Sequence, residues 1–195
     1  MAPGATVPGM RQLIVLIRAL LLLPLLAAIG PAYAVEYTDG AALDELFAQL
    51  KMAQSADDAN EIVQQIWAYW LAPDDPELAS RMDQVKTRIG NGDFTGAIKT
   101  LDTVVKDFPD YAEGWNQRAT LYYETGQLDA SLADIAKVLA IEPRHFGALS
   151  GRVAIELQQG KRADALKDMV AALAIDPYVS GREMFPELAQ NVTHV

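Results

Sequence analysis

Between residues 96 and 175 apolar side chains come in blocks spaced i, i+3, i+6 and i+7, with polar positions between them. Ile98, Leu101, Val104 and Val105 form one block, Leu132, Ile135, Val138 and Leu139 a second, and Leu166, Met169, Ala172 and Leu173 a third. Such spacing makes a single apolar stripe on a helix, so each block predicts one helix with one buried face. The blocks lie 34 residues apart, as do Gly92, Gly126 and Gly160 before them and Pro109, Pro143 and Pro177 after them. At ordinary glycine and proline frequencies those coincidences have a chance of about 1 in 10⁵ at a fixed spacing. Ala97, Ser131 and Ala165 recur in the same register and are small, as a close approach of two helices requires. The glycine falls between two helices, where a left-handed residue ends the first. The proline stops the second, because it lacks an N–H and clashes with the preceding turn. The pattern therefore predicts an all-α solenoid of stacked helix–turn–helix units.

Taking the proline as position 32 sets unit boundaries at 78–111, 112–145 and 146–179. In the middle unit Trp115, Arg118, Ala119, Tyr122, Ser131, Ile135 and Pro143 fall on the pattern W-x2-L-G-x2-Y, A-x3-F, P. On these residues the chain resembles the tetratricopeptide repeat (TPR) family. The Trp, Tyr and Pro positions agree outright, whereas Arg118, Ala119, Ser131 and Ile135 are substitutions. The outer units carry Arg81 and Leu149 at the Trp position and Arg88 and Glu156 at the Tyr position, but keep the glycine, the small residue and the proline. The resemblance covers residues 78–177, about half the chain.

Continuing the register backward to residues 44–77 finds two further stripes, Leu43, Leu46, Phe47 and Leu50, then Ile62, Ile66, Trp67, Trp70 and Leu71. The polar stretch 54–60 between them reads as a turn. Residues 35–77 are thus expected to form a degenerate helical pair capping the array, since terminal units lack one neighbour. Residues 178–195 read as a tail or a short capping helix around 184–188. At the other end, residues 1–34 contain Arg11 and Arg18 but no acidic residue, an apolar run from Ala19 to Ile29, and Ala32-Tyr33-Ala34. That is the pattern of a secretory signal peptide cleaved after Ala34. The alternative is an inner-membrane anchor through residues 13–34, although Arg18 and Pro24 would then lie inside the span. The expected location is the periplasm.

The formal net charge of −10 at pH 7 becomes more negative once Arg11 and Arg18 are removed. It argues against nucleic acid, whose phosphates require basic patches. Candidate chemistry is sparse. There is no cysteine; of the two histidines, His145 has Glu142 three residues before it, but Pro143 breaks the helix that would bring the two side chains together, and His194 has no ligand-type neighbour. Each is expected as an exposed loop residue. No nucleophile elbow or phosphate-binding loop occurs. The reading is therefore not an enzyme, with no catalytic residue, no cofactor, no metal and no small-molecule substrate.

One charged pattern repeats. Arg118 and Arg152 share position 7, and Asp134 and Asp168 share position 23, which predicts an Arg–Asp pair inside each of the last two units. The alternative is that the arginines grip a ligand carboxylate. The TPR resemblance further implies a concave groove lined by the first helix of each unit. Carried onto this sequence it gives Met82, Lys86, Ile89, Glu113, Asn116, Thr120, Tyr123, Glu124, Ser150 and Leu157 as partner-binding candidates, with Asn116 holding a peptide backbone. Gly147 and Gly151 stand where a carboxylate clamp would carry basic residues, so binding is expected not to depend on a free C-terminus. The function expected is a non-enzymatic adaptor or scaffold of the cell envelope that binds a protein or peptide segment. The alternatives are a self-associating structural protein and a non-catalytic subunit regulating an envelope enzyme.

Overall fold

The computed structural model describes residues 40–189. Its helices follow one another as α1 (Gly40–Lys51), α2 (Ala56–Leu71), α3 (Pro76–Gly90), α4 (Phe94–Asp107), α5 (Ala112–Glu124), α6 (Leu128–Ile141), α7 (Phe146–Gln158) and α8 (Arg162–Ile175). A 3-10 turn (Arg182–Met184) and the short α9 (Pro186–Ala189) complete them. Among the described residues there is no strand, and no helix is long and apolar enough to cross a membrane. The signal-peptide segment expected at residues 1–34, and His194, lie outside the described residues.

Helices pack as consecutive pairs, α1 with α2, α3 with α4, α5 with α6 and α7 with α8, and successive pairs stack through α4 on α5 and α6 on α7. The 34-residue register explains the joints. Gly92, Gly126 and Gly160 all have positive φ, between 73° and 77°, which turns the chain from first to second helix. Ahead of each proline, Phe108, Glu142 and Asp176 leave the helical region (φ −126°, −128° and −122°), because the following ring excludes helical geometry. Ala97, Ser131 and Ala165 are buried at the crossing of each pair, and Ser131 Oγ donates to the Ala119 carbonyl at 2.7 Å. Asp75 caps α3 by accepting from the Glu77 and Leu78 amides, with Pro76 opening the helix.

Each pair contributes an apolar layer. Leu78, Met82, Val85, Leu101 and Val104 fill the first repeat. Ala119, Ile135 and Val138 meet Ala148 and Ile155 at the second interface. Leu149, Val153, Met169 and Ala172 are closed off by Val179 and Phe185 from the segment after Pro177. Phe185 is fully buried, and Arg162 stacks over its ring at 5.0 Å while pairing with Glu187.

The helical pair α1–α2 departs from the expected N-terminal cap. It does not continue the stack beyond α3–α4; its partners are α5, the start of α7 and the end of α8. Its apolar stripe does need covering, as the pattern predicts, but Phe146, Ile175 and Tyr178 of the last repeat provide the cover.

Gly126 sits in open space with φ +77°, so only its backbone conformation restricts substitution. Gly126→Ala is expected to cost about 1–2 kcal/mol in urea unfolding and Gly126→Asn clearly less, since Asn tolerates the left-handed region.

Candidate interaction surface

By the geometry that the TPR resemblance implies, the inner face runs along the first helices of the units, α3, α5 and α7. At the start of α5 and α7 it is covered by α2. Trp70 stacks flat on His145, with ring centroids 4.1 Å apart and planes 7° from parallel. Trp67 stands edge-on to His145 and Phe146, each at 5.6 Å. A Cβ on Gly147 would come within 2.8 Å of the Trp67 ring, so only glycine lets the ring lie this close to α7. Tyr111 donates its hydroxyl to the Trp70 carbonyl at 2.9 Å, and burial pushes that phenol well above its usual range. At the edge Arg144 pairs with Asp44 of α1 at 2.6 Å and lies over the Phe47 ring at 4.2 Å.

Beneath Trp70 is a buried polar group. His145 is fully buried, and its Nδ1 accepts the Ala148 amide at 3.2 Å, capping α7. Its Nε2 faces Glu113 Oε2 at 3.4 Å without a hydrogen bond, and that same oxygen accepts from Asn116 Nδ2 at 2.9 Å. This corrects the expectation of an exposed loop histidine at 145. Its position after Pro143 is a repeat junction, but α2 folds over that junction and removes it from water.

Three candidate groove residues are also corrected as contact residues. Glu113 and Asn116 are buried at 4% and 8% exposure, and Asn116 Nδ2 donates to Glu113, so neither side chain stands open to a peptide backbone. Met82 is buried because it shares the i, i+4, i+7 stripe of Leu78 and Val85. The others remain at the surface. Lys86 is exposed, while Ile89, Thr120, Tyr123, Glu124, Ser150 and Leu157 are half-buried. Burial, with Glu124 alongside, raises the Tyr123 phenol above its usual range. Sequence reasoning missed Trp67, Trp70, Tyr111 and Phe146 as residues of this face. Two tryptophans three positions apart on one stripe were the available signal.

The Arg–Asp pairs form as the repeat pattern predicts. Arg118 makes a two-pronged contact with Asp134, at 2.7 Å from Nε and 2.8 Å from Nη2. Its Nη1 reaches Asp102 of the preceding repeat at 2.8 Å, and the Trp115 and Tyr122 rings flank it. Arg152 holds Asp168 through Nε and Nη2. Ala136 occupies the place in repeat two that Asp102 holds in repeat one, so Arg152 lacks the second bridge. Glu156 instead enters that neighbourhood. Its Oε2 is buried without a partner, and burial together with the adjacent Asp168 carboxylate raises its carboxyl above the ordinary 4.5.

Two comparisons bear on this architecture. The family model of the tetratricopeptide repeat matches residues 82–145 and 116–180, together just over half of the chain. A TPR repeat-containing protein of Rhizobium etli is 39% identical over 135 residues, covering 69% of this chain and 66% of its own length. The chain thus spans slightly less than two thirds of that relative.

Arg118→Ala leaves the Asp134 carboxylate, itself 4% exposed, without its cation. The expected loss is about 3 kcal/mol by chemical denaturation, and smaller for Arg152→Ala because that side chain is 31% exposed. Glu156→Gln is expected to do the opposite. A carboxyl whose folded pKa is raised destabilises the fold when ionised, and stability returns as pH falls from the folded value toward 4.5. The variant should therefore melt higher than the native chain at pH 7.5, the gap closing toward pH 4.5 in scanning calorimetry.

Proposed function

Since the chain belongs to the tetratricopeptide repeat family, we propose that it is a non-enzymatic protein–protein interaction scaffold exported to the cell envelope, where it holds a segment of a partner protein. The observation that carries this reading is the part of the inner face that α2 leaves open. Lys86, Ile89, Thr120, Tyr123, Glu124 and Leu157 offer a mixed apolar and polar row there. Such a row suits an extended or helical segment, with side chains seated on Ile89, Tyr123 and Leu157. The residues at 1–34 support export, through their basic lead, apolar run and Ala-x-Ala end.

Self-association through an end of the array is the second reading. Val170 on α8, 50% exposed, is the residue that favours it, but one such side chain is ordinary surface.

The test is recovery of partners from an envelope extract with the full chain, beside a Lys86→Glu/Tyr123→Ala variant shown by circular dichroism to be folded. The expected outcome is a partner retained by the native chain, lost from the variant, and absent from the cytosolic fraction. Equal recovery by both chains would move the binding surface off the inner face. A dimer on sizing with no partner would support self-association.

A further inference from the structure

The inner face is already occupied at one end, and by this chain's own residues. Leu43, Leu46, Leu50, Ala59 and Ile66 pack α1 against α2, in one cluster with Trp67, Trp70 and Phe146. The joint of this hairpin to the array, residues 72–75, is Ala-Pro-Asp-Asp, and Ala72, Asp74 and Asp75 are exposed. The hairpin is seated by the face of α2 carrying Trp67 and Trp70, three positions apart, on His145, Phe146 and Gly147, and by α1 at the end of α8 and on Arg144. That seat has a polar floor. Docking Trp70 removes Glu113 and His145 from water, yet leaves His145 Nε2 without a hydrogen bond. Desolvating such groups opposes docking, so the hairpin is held less firmly than its aromatic area implies. Units of this kind open below the free energy of global unfolding.

We propose that the start of α5 and α7 is a docking slot for an amphipathic helix carrying two large aromatic residues three positions apart, and that α1–α2 is its internal occupant. The hairpin swings out about residues 72–75 to admit a partner helix of that chemistry. The chemistry of the occupant defines that of the ligand. Two rings lie on His145 and Phe146, and close contact is permitted by Gly147, whereas the acid that meets Arg144, Asp44, comes from α1 and not from the helix that carries the rings. This inference rests on the reading of the inner face as the partner's surface and assigns the covered end of that face a ligand.

The probe is a fluorescein-labelled peptide of residues 56–71, titrated into the full chain. Trp67→Ala/Trp70→Ala removes the two rings that seat the hairpin and frees the slot. The double variant is expected to bind the peptide at least tenfold more tightly than the native chain does, and a peptide with both tryptophans replaced by alanine to lose that gain. Equal affinity of both chains, or no binding to a folded double variant, overturns the proposal. Gly147→Ala gives an independent route that leaves the hairpin sequence intact. The added methyl meets the Trp67 ring while favouring helix in α7. Hydrogen exchange on the full chain should then show α1–α2 amides exchanging at least tenfold faster, with α5 to α8 unchanged. Unchanged hairpin exchange, or equal acceleration throughout, overturns the proposal. A native dimer with exchanged hairpins would make a second copy the ligand and overturn the partner-helix assignment. Peptide binding combined with an envelope partner indifferent to Lys86 and Tyr123 would refute the partner-surface reading and leave the slot standing. Loss of that partner from the Lys86/Tyr123 variant with no peptide binding would refute the slot alone.

Discussion

A two-helix unit of this size cannot bury both of its sides by itself, and the architecture follows from how each exposed side finds cover. Inside the array the answer is repetition, with α4 packing on α5 and α6 on α7. The two ends are solved differently. At the C-terminal end Val179 and Phe185 close the last layer, and Arg162 binds that segment through Glu187 and the Phe185 ring. At the N-terminal end the extra helical pair does not extend the stack. It turns back onto α5, α7 and α8, so its stripe is buried by repeats far along the chain. The same apolar requirement thus produces a cap at one end and an occupant of the inner face at the other.

Charge is distributed to match. Among the described residues Arg81, Arg88, Arg118, Arg144, Arg152 and Arg162 all face carboxylates. Exposed pairs of this kind contribute little. The pair of Arg118 with Asp134 differs, because both groups are largely out of water and the guanidinium geometry meets the carboxylate on two prongs. Its third contact, to Asp102, ties repeat one to repeat two. The corresponding joint at repeat three has Ala136 in place of the acid and Glu156 with an unmatched oxygen. The array is therefore electrostatically stitched at its first joint and weaker at its second, beside the repeat on which the hairpin rests.

Much of the fold was legible because its determinants are local. A glycine that must be left-handed, a proline that must end a helix and a small residue at a crossing act within one unit, and repetition makes them visible. The Arg118–Asp134 and Arg152–Asp168 pairs were legible for the same reason, since both partners recur in register. The hairpin's destination was not. The stripe of Ile66, Trp67 and Trp70 requires a buried face, but an apolar stripe does not state what buries it. His145 was misread on the same ground. By sequence it is a polar residue in a repeat junction, and the ring that covers it belongs to a helix more than two repeats upstream. Glu113 and Asn116 followed, because the family geometry that put them on an open groove has no term for an occupant.

The occupant changes what a partner must do. A hairpin tethered by a short joint presents its tryptophans to the slot at an effective concentration on the order of millimolar. A free helix with the same contacts, present at about a micromolar level, would lose that competition by roughly a thousandfold. A successful partner must therefore add contacts that the hairpin does not make. The inner face offers them, because Thr120, Tyr123 and Leu157 lie on the same helices, α5 and α7, that carry the slot. A segment that runs from the slot along these residues gains from both, whereas one that matches only the aromatic pair gains too little. Selectivity then comes from the internal competitor as much as from the groove, with the hairpin rejecting segments that resemble it in one half of the surface alone.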